Sequence, residues 1–138
     1  MKHFEIGMGL IKQGEAYLLQ LRNGKQQAGA LNLIGCFGGQ IEPGESPEQT
    51  VCREVAEESS FRPKPEGLKD LGEVNVNSER HGQVITVHSY VYLIEIPSDT
   101  KIVANEGEVV MMTRAEVLAN PDKMTPATLA CFEQLIKE

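Results

Sequence analysis

With 138 residues, 41% hydrophobic and 24% charged, the chain has the size and composition of one domain able to bury a proper core. Its net charge of −7 argues against a broad phosphate-tracking surface, so a nucleic-acid polymer is not an expected partner. No stretch approaches the roughly 20 apolar residues of a membrane span, and the amino-terminal MKHFEIGMGLIK lacks the basic-then-apolar order of a signal peptide.

Phe4–Ile11 mixes apolar residues with Gly7 and Gly9, which predicts a strand whose backbone is closely approached. Lys12–Glu15 reads as a turn and Ala16–Leu21 (AYLLQL) as a second strand, together a hairpin. The polar loop Arg22–Ala30 (RNGKQQAGA) offers Arg22 and Lys25 as candidate contacts to an anionic ligand; solvated loop charges are the plainer reading. Leu31–Phe37 (LNLIGCF) is a short apolar segment leading into Gly38. Phe37 is suited either to stack on a base or to fill core, and core is the plainer reading.

Gly38–Phe61 (GGQIEPGESPEQTVCREVAEESSF) organises the chain. Its first half is a turn-forming loop, with Gly38, Gly39, Gly44 and Pro43. Its second half is a helix with a marked start. Ser46 is an N-cap, Pro47 takes the first helical position, and Gln49 completes a capping box. The helix is expected to end near Ser59, because Pro63 and Pro65 cannot continue it. Glu54, Glu57 and Glu58 fall at i, i+3 and i+4, on one face, where like charges repel by roughly 0.2–0.5 kcal/mol per pair. Glu57 and Glu58 also occupy the last turn, at the negative end of the helix dipole. Val51 and Val55 line a neighbouring stripe, so this acidic face borders buried surface. Carboxylates clustered beside a core call for a cation, and hard oxygen ligands suit Mg²⁺ or Mn²⁺. Arg53, the helix's one basic residue, is placed to brace the face through Glu57 or Glu45.

These residues resemble the signature of the Nudix hydrolases, G-x5-E-x7-R-E-U-x-E-E-x-G-U, where U is bulky and aliphatic or aromatic. Gly39, Glu45, Arg53, Glu54, Val55, Glu57, Glu58 and Phe61 fall on the pattern, which spans 23 residues of the chain. Ser60 stands where the family has Gly, and Phe37 where relatives often have Pro. A left-handed Ser60 would cost about 1 kcal/mol; the alternative is a different local cap. The resemblance implies an α/β fold, the Nudix α/β/α sandwich around a central mixed sheet. It also implies hydrolysis of the pyrophosphate bond in a nucleoside diphosphate linked to another group. Glu54, Glu57 and Glu58 would then be metal ligands together with the backbone carbonyl of Gly38. Glu45 and Arg53 would brace the helix. A further carboxylate is expected from a later loop, and Glu106 and Glu108 are the candidates. As neighbours but one in an extended segment they would point the same way, so the sequence does not separate them.

Beyond the helix, Leu68–Asn77 reads as a strand, Ser78–Gly82 as a turn, and Val84–Ile96 (VITVHSYVYLIEI) as a strand in the middle of a sheet. His88, Tyr90 and Tyr92 share one of its faces. Tyr90 is a candidate base contact, with core packing equally weighted. Val109–Met112, apolar on both faces, reads as a buried strand. Thr113 caps a short helix containing Glu116 and Leu118. Thr125 caps a terminal helix with Pro126 at its start and Leu129, Phe132 and Ile136 as its stripe.

The whole is expected to be one Nudix-type domain, residues 1–138, monomeric or homodimeric, with no membrane partner. Cys36, Cys52 and Cys131 match no zinc spacing and read as reduced thiols of a cytoplasmic protein. For the substrate, the Pro often found past the box in ADP-ribose hydrolases is absent from Val74–Ser78. The Tyr of dinucleoside polyphosphate hydrolases is absent too, since the first Tyr after the box is Tyr90. Elimination favours a normal or damaged nucleoside triphosphate, cleaved to monophosphate and pyrophosphate, with Arg22 on phosphates and Phe37, Tyr90 and Asn32 near the base. ADP-ribose, a nucleotide sugar, a dinucleoside polyphosphate, or a non-catalytic nucleotide sensor are the alternatives.

Overall fold

The computed structural model describes residues 2–23 and 32–137; Lys25 lies outside them. In chain order the elements are β1 (Lys2–Gln13), β2 (Ala16–Leu21), β3 (Ile34–Gly35), β4 (Phe37–Gln40), α1 (Pro47–Glu58), β5 (Lys69–Arg80), β6 (Gln83–Glu95), β7 (Glu108–Thr113), α2 (Arg114–Ala119) and α3 (Pro126–Gln134). The strands form one mixed seven-stranded sheet. β1 runs parallel to β6 and antiparallel to β2 and β4. β5 extends the sheet beyond β6, and β7 pairs with β2.

The sheet separates two cores. Met8, Leu10, Leu19, Val91 and Phe132 pack on the α2 and α3 side. Ile11, Leu18, Phe37, Val51, Val55 and Tyr92 pack on the α1 side. Alternation along β1 and β2 feeds both layers, as a strand covered on two faces requires. Gly7 and Gly9 let α1 rest on the strand backbone. A Cβ on Gly7 would sit 2.9 Å from Thr50 Cβ, and one on Gly9 3.0 Å from Val51 Cγ1.

The expected caps form. Ser46 Oγ accepts from the Gln49 amide and the Gln49 side chain accepts from the Ser46 amide, with Pro47 at the helix start. Thr113 and Glu116 make a second capping box, and Thr125 caps α3.

Three expectations need correction, and one open alternative is decided. The turn read over Ser78–Gly82 is a two-residue turn, His81 and Gly82 at φ 52° and 77°; Ser78–Arg80 continue β5. Two positive φ values match the twist of flanking strands, so the ladder persists to the turn. Val109–Met112 is not a buried strand: among the described residues β7 pairs only with β2, and Met111 is 54% exposed. An edge strand lacks the second neighbour that would cover it. Of the two readings of Ser60, the different local cap is the one that forms. α1 ends instead on an extended Ser59 (φ −146°), and Ser60 exchanges two hydrogen bonds with Val103, N–H to carbonyl at 2.8 Å and Oγ from amide at 2.9 Å. Finally, Glu106 and Glu108 are not successive positions of one extended segment, because Gly107 at φ 73° turns the chain between them.

Candidate active site

α1 lies against β4 with its acidic face over Gly38 and Gly39. A Cβ on Gly39 would be 2.4 Å from Glu54 Cδ and 2.5 Å from Glu54 Oε1, so only Gly lets the carboxylate lie there. A Cβ on Gly38 would be 2.3 Å from the Gly7 carbonyl oxygen. The Gly38 amide donates to Glu58 Oε1 at 3.0 Å. The glycine pair thus seats two of the carboxylates.

Arg53 ties the cluster together. Its guanidinium donates to both oxygens of Glu45, from Nε at 2.7 Å and Nη2 at 2.9 Å. It also reaches Glu54 Oε1 at 2.8 Å, Glu57 Oε1 at 3.4 Å and the Gln40 carbonyl at 3.2 Å. Both anchor partners read from the sequence are engaged, and Glu54 is a third. Thr50 Oγ1 donates to Glu45 Oε1 at 2.6 Å. Hydrogen bonds from Arg53 and Thr50 hold the Glu45 carboxyl down at about 2. Burial works the other way on the helix face: it raises Glu54 despite Arg53. It pushes Glu58 up to about 7, against the Gly38 amide and the field of Arg22. Glu57 is 58% exposed.

Glu45, Glu54 and Glu57 therefore share one bracing guanidinium, while Glu58 is held by the Gly38 amide, and the two that burial disfavours most, Glu54 and Glu58, are the two seated on the glycine pair. A divalent ion fits this set. The side-chain donors are all carboxylate oxygens, which suits a hard cation, and its charge would relieve the burial cost of Glu54 and Glu58.

The helix end is docked in a way the sequence analysis did not foresee. The Asn105 amide donates to the Glu58 carbonyl at 2.8 Å. Its side-chain amide donates to the carbonyls of Glu57 at 3.1 Å and Ser59 at 3.0 Å. Arg62 donates to the Ala56 carbonyl at 2.6 Å. These donors satisfy carbonyls that a helix end leaves orphaned and clamp the β6–β7 connection against the acidic turn. The buried Gln20 holds the same connection, donating to the Glu106 carbonyl at 2.7 Å. Glu108 starts β7, where its carboxylate accepts from Asn23 at 2.7 Å.

A cavity of about 310 Å³ opens on the other face of the sheet and reaches the glycine pair. Gly38, Gly39, Gln40 and Arg22 form its end near the carboxylates; Phe4, Ile6, Ile85 and Val87 wall the rest. Among the described residues Arg22 Nε and the hydroxyl of Ser89, which is fully buried, have no hydrogen-bond partner. Both residues line the cavity. The structure thus places Arg22 at the cavity end beside the glycine pair. It does not place Phe37 or Tyr90 there. Phe37 is fully buried in the α1-side core. Tyr90 shares that face, its hydroxyl donating to Glu5 at 3.0 Å. Strand parity puts both on the sheet face opposite the cavity. Asn32 is exposed at φ 68°, with its amide on the Arg22 carbonyl.

No curated protein sequence gives a significant match. Solved structures do share the fold. A MutT protein from Methanosarcina mazei Go1 superposes with TM-score 0.74 at 19% identity, covering 97% of this chain and 93% of that one. A MutT NUDIX hydrolase from Burkholderia pseudomallei gives TM-score 0.75 at 21% identity, covering 98% and 99%. A bifunctional NMN adenylyltransferase/ADP ribose pyrophosphatase from Francisella tularensis, complexed with AMP and a Mn ion, gives TM-score 0.71 at 17% identity, over 98% of this chain and 41% of that one. The NUDIX domain family model matches residues 1–134. With its glycine-seated carboxylates and its mixed sheet between helices, the chain belongs to the Nudix family and is a pyrophosphohydrolase of nucleoside diphosphate derivatives.

Proposed function

We propose that the protein hydrolyses a nucleoside triphosphate to the monophosphate and pyrophosphate, using Mg²⁺ or Mn²⁺ held by Glu54, Glu57, Glu58 and the Gly38 carbonyl. One observation carries this reading. The glycine pair that seats Glu54 and Glu58 also forms one end of the cavity, and that cavity suits one nucleoside at its apolar end. The bound ion would supply charge neutralisation on the phosphates and an activated water. Arg53 keeps the carboxylates in place through Glu45 and Glu54. Arg22 offers its guanidinium to the phosphate chain, and the Ser89 hydroxyl offers a hydrogen bond deep in the cavity. For the added carboxylate, Glu106 is the better placed. It follows Asn105, which is bonded to the acidic turn. Its role is to take a proton from the attacking water.

A second reading, a substrate with two linked moieties such as ADP-ribose or a dinucleoside polyphosphate, is favoured by a hollow of about 320 Å³ past Arg80. It is lined by Lys2, His81 and Gln83, and shares Phe4, Gln40, Arg80 and Ile85 with the first cavity. The deciding experiment compares kcat/KM for nucleoside triphosphates, ADP-ribose and a dinucleoside polyphosphate at saturating Mg²⁺. A preference for triphosphates supports the first reading; a preference for either of the others replaces it with the second.

A further inference from the structure

Opposite the cavity, on the sheet face shared with α1, the register of β1 and β6 brings two imidazoles to one carboxylate. Glu5 and His88 are direct partners in the parallel ladder, so their side chains stand side by side. His3, two residues before Glu5, shares that face. His3 Nε2 lies 2.5 Å from Glu5 Oε2, and His88 Nδ1 lies 3.0 Å from the same oxygen. One ligand atom from each of the three residues lies within 4.8 Å of the other two.

The outward side of each ring is also held. His3 Nδ1 is 2.7 Å from Thr86 Oγ1, and His88 Nε2 is 2.5 Å from Glu73 Oε1. Tyr90 fixes the other Glu5 oxygen. Metal-binding histidines characteristically have their second nitrogen engaged this way, which sets the tautomer and aims the free lone pair. Here the two inward nitrogens, His3 Nε2 and His88 Nδ1, both hydrogen-bond to the Glu5 carboxylate, and a cation bound between them would take the place of those protons. Burial opposes a positive charge on His88, yet Glu73 and Glu5 outweigh it and raise its pKa; the same field favours a bound cation. The site is open to entry, with His3 53% and Glu5 39% exposed.

We propose that His3, Glu5 and His88 bind a late first-row divalent cation such as Zn²⁺, at a site sharing no residue with the carboxylates of α1. The ligand chemistry separates the two. Two imidazoles and a carboxylate, with coordination positions left for water, suit Zn²⁺, Co²⁺, Ni²⁺ or Cu²⁺, whereas the all-oxygen cluster suits Mg²⁺ or Mn²⁺.

The test is calorimetric titration of Zn²⁺ into the tag-free, full-length protein with millimolar Mg²⁺ present throughout. The expected result is one Zn²⁺ per chain. His3→Gln and His88→Gln should each weaken it at least tenfold, Glu73→Gln should weaken it by roughly 10- to 100-fold, and Glu54→Gln should leave it unchanged. Co²⁺ should give a visible absorption band in the wild type that both histidine variants lose. His3 is exposed enough for its variant to fold even where His88→Gln does not. Unchanged Zn²⁺ affinity in His3→Gln overturns the proposal. So does loss of the bound Zn²⁺ in Glu54→Gln, which would place the ion on the α1 carboxylates.

Discussion

The two glycines at the start of the box face different neighbours, and replacing each with Ala should separate activity from stability. In Gly39→Ala the new Cβ would lie 2.4 Å from Glu54 Cδ. An ordinary carbon contact is about 3.5–4.0 Å, so the carboxylate must retreat by roughly 1 Å, and a flexible side chain is able to do that. A displacement of that size at a catalytic group costs about 100-fold in rate, or roughly 2.7 kcal/mol of barrier. The fold should survive, since Ala in a strand gains about 0.5–1 kcal/mol over Gly against the disturbed Arg53–Glu54 pair. In Gly38→Ala the Cβ would lie 2.3 Å from the Gly7 oxygen and 3.0 Å from Met8 Cα. These are backbone atoms of the neighbouring strand, so relief means parting β4 from β1, at about 1–3 kcal/mol or more. The assay is kcat at saturating Mg²⁺ beside thermal melting of the metal-free protein. Gly39→Ala should melt within about 5 °C of wild type and lose activity; Gly38→Ala should melt markedly lower. A Gly39→Ala enzyme with kcat within about twofold of wild type would refute the reasoning that Glu54 must occupy this position.

Glu57→Gln should cut kcat strongly while the metal-free protein melts no lower than wild type, because each relieved like-charge pair is worth about 0.2–0.5 kcal/mol; steady-state kinetics and melting curves check it. Glu106→Gln should lose far more kcat than Glu108→Gln, and equal losses would return the choice to an open one. Ser60→Gly should destabilise by about 0.5–1.5 kcal/mol, since it removes the acceptor for the Val103 amide; a more stable variant in denaturant unfolding would contradict the observed cap. The Glu45 carboxyl titrates near 2 when folded, below its ordinary value of 4.5. Its contribution is thus present above about pH 4.5 and is lost as pH falls toward 2. Glu45→Gln should flatten that part of the melting-temperature profile, and a profile parallel to wild type would count against the Arg53–Glu45 brace.

What could be read beforehand was local. The caps at Ser46, Thr113 and Thr125 depend on residues within one turn, and Ala16–Leu21 carries its own alternation. The acidic face of α1 follows from spacing alone, and so does the reach of Arg53 to Glu45 and Glu57. What could not be read depends on neighbours distant in sequence. Val109–Met112 is apolar enough for a buried strand, but its exposure follows from β7 pairing, among the described residues, with β2 alone. Parity puts Tyr90 on one face with His88 and Tyr92, but does not say which helix covers that face. Asn105 meets carbonyls 46 and 48 residues away, a separation with no sequence signature. Gly107 did carry a warning, because a Gly between two acids is where extended parity breaks.

Triphosphate hydrolysis is tested most directly by phosphorus-31 NMR of a nucleoside triphosphate incubated with the protein, with Mg²⁺ and then with excess chelator. Metal-dependent appearance of nucleoside monophosphate and pyrophosphate in equal amounts is the predicted result. Release of orthophosphate with a diphosphate, or cleavage that persists in chelator, would contradict it.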